Sequence, residues 1–198
     1  MRPVALTDVF VHPQGLCESD RVGRGTRVWA FAHVLPGAQI GADCNVCDGA
    51  FVEGGVVLGD RVTVKNATLL FDGVTCEDDV FLGPNVLFTN DLRPRASIRR
   101  GPDELLGTHV RTGATLGAGT VVVCGITIGA HAFCAAGSVV TRDVAAHALV
   151  MGNPAEQRGW VCACGERLDR LTCRRCGTVH DMELDGPGLR AVGGGGAP

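Results

Sequence analysis

Apolar residues recur at every sixth position from Phe10 onward: Leu16, Val22, Val28, Val34, Ile40, Val46, Val52, Leu58, Val64, Leu70, Cys76, Leu82 and Phe88. With 45% apolar residues in the chain, an unbroken run of that length arises by chance with a probability of about 10⁻⁵ in any one phase. A second column, two positions earlier in each unit, holds small or β-branched residues: Thr26, Ala32, Ala38, Cys44, Ala50, Val56, Val62, Thr68, Val74, Val80 and Val86. Glycine often follows the apolar position, as at Gly23, Gly41, Gly59 and Gly83.

A six-residue unit is a short strand and a tight corner. Three units close a triangular coil, and coils stack at the ~4.8 Å strand spacing, so that each backbone group pairs with the coil above or below. The apolar position fills the interior, the small position sits at the bend, and glycine supplies the φ values that a corner needs. The fold predicted is an all-β parallel β-helix. A β-sandwich would show alternation with period two and no fixed period of six.

The repeat breaks once. It resumes at Val110, Leu116, Val122, Ile128, Cys134 and Val140, and the step from Phe88 to Val110 is 22 residues, which is not a multiple of six. The segment 89–109 is therefore expected to leave the helix as a protruding loop, and long loops in compact folds are usually functional. This one carries Arg93, Arg95, Arg99 and Arg100. The expected organisation is a β-helix over 1–145 with this insertion, a closing segment over 146–159, metal-binding knuckles over 160–181, and a disordered glycine-rich tail over 182–198.

The knuckles rest on Cys162, Cys164, Cys173 and Cys176, a C-x-C and a C-x-x-C pair whose thiolates can converge on a tetrahedral Zn²⁺. The first pair is one residue shorter than usual, and His180 is an alternative ligand. Four protein ligands leave no open position, so the zinc is expected to be structural. Cys44, Cys76, Cys124 and Cys134 read as small core residues.

Net charge is −3 and Lys65 is the single lysine, so neither nucleic acid nor a membrane is an expected partner. The first ten residues lack the pattern of a signal peptide, and no run approaches the ~20 apolar residues of a membrane span. Ten cysteines without such a signal point to reduced thiols and a cytoplasmic protein. The patterns Gly23–Gly25 and Gly117–Gly119 lack the strand–helix context of a dinucleotide fingerprint and belong to the repeat.

The hexad and the stretch GPNVLFTNDLRPRA resemble the hexapeptide-repeat sugar-nucleotide 3-amino N-acetyltransferases, over roughly residues 8–160. The Asn-Asp-Leu-x-Pro-Arg run resembles the branch acting on dTDP-3-amino-3,6-dideoxyhexoses more than the UDP-3-amino-glucuronate branch. The resemblance implies a left-handed helix and a homotrimer with active sites in the clefts between subunits. It also implies acetyl-CoA as co-substrate, with direct attack of the sugar amine on the thioester. Gly152-Asn153-Pro154-Ala155 resembles the family's closing turn near the CoA site.

Asn90 matches the family's catalytic asparagine. His33, projecting outward before Val34, is the rival candidate base. Asp91 is a candidate for the sugar or its amine, and Arg93 and Arg95 for the diphosphate, whose oxygens a guanidinium fork fits. Glu53, Lys65 and Trp29 stand one residue past inward positions and are expected to line the cleft. Gly117, Ala118 and Gly119 lack bulk and can admit the pantetheine, with Arg142 and Arg158 for the adenosine phosphates. Two other classes fit the sequence less well. A γ-type carbonic anhydrase needs converging histidines, and the six here show no close spacing within the coils. A non-catalytic trimeric scaffold with a zinc module has no need of an Asn-Asp and arginine loop.

Overall fold

The computed structural model describes residues 8–98, 100–184 and 186–194. Residues 1–7 of the expected β-helix, Arg99 of the loop and 195–198 of the expected tail lie outside them. The chain winds as a parallel β-solenoid with three faces. Face 1 stacks the strands Phe10–Val11, Arg27–Val28, Asn45–Val46, Thr63–Val64, Phe81–Leu82, Thr115–Leu116 and Phe133–Cys134. Face 2 stacks Leu16–Cys17, His33–Val34, Phe51–Val52, Leu69–Leu70, Leu87–Phe88, Val121–Val122 and Val139–Val140. Face 3 runs from Arg21–Val22 to Thr127–Ile128.

The inward column is buried from Val28 to Phe88 and again from Val110 to Val140, and the small-residue column is buried throughout, Thr26 and Thr68 included. Their hydroxyls donate to the carbonyls of Gly41 and Gly83, 2.8 and 2.9 Å away, so these polar groups lie inside at little cost. At about 1.5–3 kcal/mol per buried aliphatic side chain, this continuous core is the main source of stability.

Two details of the repeat differ from expectation. Phe10 and Leu16 do not point inward: they are 45% and 50% exposed, and Val11 and Cys17 hold the positions below Val28 and Val34. The first coil is one residue short, and adjacent apolar residues at both places left the phase ambiguous. The glycines after the apolar positions also have another purpose. Gly23, Gly41 and Gly59 have ordinary φ; a Cβ on any of them would lie under 3.0 Å from the backbone of the next coil. Close stacking excludes a side chain there. Positive φ falls instead at other corner positions, one column of them filled by Gly25, Asp43, Arg61, Asp79, Gly113, His131 and His147.

The insertion is narrower than expected. The Thr89 N–H still donates to the Val122 carbonyl of the next coil at 3.0 Å. Thr108–Val110 has already rejoined face 3, where Cys76 pairs with Val110. The excursion is therefore 90–107.

Past the last coil, Ala148–Gly152 and Ala155–Val161 form an antiparallel hairpin that extends face 1, with a cis Asn153–Pro154 bond at its tip. The expected tail is not disordered through Gly193: Leu189–Gly193 pairs with Val179–Met182, and Leu189 is buried against the cysteine module. Its glycine and proline content obscured a short apolar strand. His180, on this hairpin, packs against His147, and His147 against His131, with 5.0 Å between ring centroids in each pair. Nδ1–H of His147 donates to the Val161 carbonyl at 2.9 Å, and burial, reinforced by the two neighbouring imidazoles, holds its pKa down to about 4. The stack joins the C-terminal module to the end of the solenoid.

The register makes a direct prediction. Leu70→Ala, at a fully buried site, lowers stability by about 2–5 kcal/mol in urea unfolding. Phe10→Ala, at a half-exposed site on face 1 against Trp29, costs under about 1.5 kcal/mol. Equal losses at the two positions would contradict the one-residue shift.

Candidate functional site

The edges on either side of face 2 carry the candidate residues. The edge between faces 1 and 2 holds Trp29, Lys65 and the turn Gly117, Ala118, Gly119, where positive φ falls on Gly119. The edge between faces 2 and 3 holds Glu53, the excursion 90–107 and Arg142. Face 2 between them is unusual. Its outward side chains are Leu16, His33, Phe51, Leu69, Leu87, Val121 and Val139, six of the seven apolar. Face 3 shows Arg21, Gln39, Val57, Thr75, His109 and Thr127 in the same place.

Several candidates are already engaged. His33 does project outward; its Nε2 lies 2.9 Å from Glu18 Oε2 and its ring stands edge-on to Phe51. The carboxylate fixes the ring's orientation, as a base would require. Glu53 accepts the backbone N–H of Asp72 at 2.7 Å, so it braces the next coil. Trp29 donates to Asn45 Oδ1 at 2.7 Å and packs on Phe10. Asp91 accepts the backbone N–H of Arg93 at 2.7 Å and is ion-paired to Arg100 at 3.0 Å.

The others are available. Among the described residues the Asn90 amide, the Lys65 amine and the Arg93 guanidinium make no hydrogen bond within the chain, and Arg95 reaches only the Pro94 carbonyl at 3.1 Å. The backbone carbonyl of Asn90 accepts from Leu106 N–H at 2.9 Å, which closes the neck of the excursion. Arg142 borders a cavity of about 270 Å³ with Val140, Ala155, Glu156 and Gln157, under the terminal hairpin. Arg158 is exposed on that hairpin and paired to Glu156 at 2.8 Å. In one chain the residues of the two edges thus remain apart, separated by the apolar face.

The four cysteines do converge: the sulfurs of Cys162, Cys164, Cys173 and Cys176 lie within 4.8 Å of one another. Two pairs are 3.5 and 3.6 Å apart, close to the ~3.8 Å between thiolates that share a tetrahedral ion at ~2.3 Å. Gly165 and Gly177, both with positive φ, close the two knuckles by donating to the carbonyls of Cys162 and Cys173. The short C-x-C spacing is therefore compatible with convergence, because the turn ends at Gly165. The hydroxyl and backbone of Thr178 lower the pKa of the Cys176 thiol, which favours the thiolate a metal needs. His180 is turned away, toward His147 and the Leu171 carbonyl, and is outside the cluster.

Sequence reasoning missed Arg100 and Glu18 as partners of candidate residues, along with the histidine stack. Only the four-residue spacing of Arg100 and Glu104 was visible beforehand.

Residues 21–54 match the family described as bacterial transferase hexapeptide (six repeats). The dTDP-3-amino-3,6-dideoxy-alpha-D-galactopyranose 3-N-acetyltransferase of Aneurinibacillus thermoaerophilus is 48% identical over 171 residues, covering 85% of this chain and 88% of the relative. Among solved structures, a hexapeptide-repeat acetyltransferase from Vibrio cholerae O1 biovar eltor, complexed with acetyl coenzyme A, is 26% identical. It aligns with a TM-score of 0.52 over 63% of this chain and 70% of its own. A variant of the N-acyltransferase AntD from Bacillus cereus, solved with dTDP and coenzyme A, shares the fold alone at 16% identity. Its TM-score is 0.51 over 69% and 81% of the two chains. The repeat, the inserted loop and identity extending through most of both chains agree: this protein belongs to the hexapeptide-repeat sugar-nucleotide 3-amino N-acetyltransferases.

Proposed function

We propose that the protein transfers the acetyl group of acetyl-CoA to the 3-amino group of a dTDP-linked 3-amino-3,6-dideoxyhexose, as a homotrimer with its active sites between subunits. Kinship with an enzyme named for that substrate carries the chemistry. The apolar outward column of face 2 supports the assembly. Three prisms that turn this face toward a common axis bury it in a closed ring. In that ring the edge between faces 1 and 2 of one copy meets the edge between faces 2 and 3 of the next. The groove so formed gathers Trp29, Lys65 and Gly117–Gly119 from one chain, with Asn90, Arg93, Arg95 and Arg142 from its neighbour.

The chemistry asks little of the side chains beyond position. A neutral amine attacks the thioester carbonyl, the C–N bond forms, the tetrahedral intermediate collapses with loss of the C–S bond, and the thiolate leaving group takes the amine proton. Holding the reactants in contact supplies much of the rate. The Asn90 amide has both donor and acceptor capacity uncommitted within the described chain, and it orients the amine lone pair toward the carbonyl. Arg93 and Arg95 pair with the diphosphate. Gly117–Gly119, without bulk at the edge, leave room for the pantetheine. His33 lies on the face that the trimer covers, already paired to Glu18, and takes an orienting part in the interface rather than the part of the base.

The cysteine cluster binds zinc, with all four positions filled by thiolates, and secures the C-terminal module. None of the ten cysteines is in a disulfide, in keeping with a reducing cytoplasm. Among the described residues no helix is long and apolar enough to cross a membrane.

Two measurements test this reading. Mass spectrometry of acyl transfer to dTDP- and UDP-linked 3-amino sugars is expected to show acetylation of the dTDP-3-amino-dideoxyhexose, and Asn90→Ala is expected to lower kcat by about 10²-fold or more. Unchanged turnover in Asn90→Ala defeats the catalytic assignment. Elemental analysis is expected to find one zinc per chain, and a strong chelator to lower the unfolding temperature. A zinc-free protein indifferent to chelator would refute the tetrathiolate site.

A further inference from the structure

The excursion 90–107 has little of what holds the rest of the chain. It has no strand in the three faces, and three of its four leucine and isoleucine side chains, Leu92, Ile98 and Leu106, are exposed. Yet it presents the residues on which the proposed function depends. Besides a few backbone bonds, among them Leu106 to Asn90 and Ile98 to Arg95, one side chain ties its parts together. The Arg100 guanidinium donates from Nη1 to Glu104 Oε2 and from Nη2 to the Arg93 carbonyl, both at 3.0 Å, and its Nε lies 3.0 Å from Asp91 Oδ2 in an ion pair without a directed hydrogen bond. The partners extend the network. The second oxygen of Asp91 accepts the Arg93 N–H, and Glu104 Oε1 accepts the Gly101 N–H at 3.2 Å. The side chains of Arg100 and Asp91 are each only 20% exposed, so the pair is less screened than a surface ion pair.

The loop arginines therefore differ in kind. Arg100 spends its charge inside the loop on two carboxylates and a carbonyl. Arg93 and Arg95 keep their guanidinium groups outside it, exposed. Asp91 belongs with Arg100: both of its oxygens are engaged, one on each side of the turn that follows Asn90.

We infer that Arg100 is a positioning residue for acetyl transfer, and that Asp91 acts with it rather than on the sugar. Together they clamp the peptide from Asn90 to Arg93, so that the amide of Asn90 and the guanidinium of Arg93 meet the sugar nucleotide at a fixed separation. This rests on the acyl-transfer reading above. A planar fork is required, because two acceptors on different segments are bonded by separate N–H groups while the charge faces Asp91; a lysine keeps the charge but loses that geometry.

The test uses R100Q, R100K, D91N and the double variant R100Q/D91N in the full-length protein, with steady-state kinetics and backbone hydrogen exchange over 90–107. R100Q is expected to lower kcat/KM for the amino sugar at least tenfold, with R100K recovering part of the loss and KM for acetyl-CoA changing less than about twofold. Exchange at the Leu106 amide, which closes the neck, rises in R100Q. The double variant is no worse than the poorer single one, since the two residues act as one unit. Multiplying losses would show that Asp91 contacts substrate on its own account and overturn the pairing. A loosened loop with undiminished kcat/KM would reduce Arg100 to a structural role and overturn the inference, as would unchanged exchange. Failure of the wild-type protein to acetylate any amino sugar would defeat the proposed function instead, and the exchange measurement would still decide whether Arg100 holds the loop.

Discussion

Backbone pairing from coil to coil is the constraint on which the structure depends. Each short strand sits under its equivalent in the next turn, Val28 under Val46, Val46 under Val64, Val64 under Leu82. Stacking in this way turns a local sequence property into a stripe along the whole molecule. Apolar residues at one position of the unit become a continuous interior. Glycines at another permit one backbone to lie directly on the next, and residues with positive φ form a corner column. The same constraint dictates where an insertion can go. Extra residues must leave at a corner and return in register, as 90–107 does between Phe88 and Thr108.

This explains how far the sequence could be read. On faces 1 and 3 polar residues such as Arg21, Arg27, Gln39, Asn45 and Thr63 stand before the inward one, so the phase was fixed there and carried by the six-residue step across the apolar pairs of face 2. At Phe10-Val11 and Leu16-Cys17 both neighbours are apolar, and the short first coil was invisible. The slip between Phe88 and Val110 announced the loop, but Thr108, a buried member of the small column, already belongs to face 3. The convergence of the four cysteines was legible because knuckle spacing is local. The histidine stack was not. His131 and His147 meet because the last coil is short, and His180 arrives on a hairpin whose glycines and proline suggested disorder. Within the loop, composition showed four arginines but could not tell Arg100, which ties the loop together, from Arg93 and Arg95, which are left exposed. That difference lies in which carboxylate each one reaches.

A single chain brings the candidate residues to two edges and no further. The loop with Asn90 lies on one side of face 2, and the small-residue turn at Gly117–Gly119 on the other. The apolar column between them is what an assembly would bury, and only then do the edges become the two walls of one groove. On this account, binding residues, catalytic residue and interface are consequences of one periodic pattern, with the loop as its single interruption.

Sedimentation velocity on the purified protein at micromolar concentration tests this most directly. The account expects a species of three chains, each of 20.6 kDa, that dissociates when Leu69 on face 2 is replaced by arginine. A wild-type protein that sediments as a monomer, leaving face 2 open to water and the two edges unjoined, would contradict it.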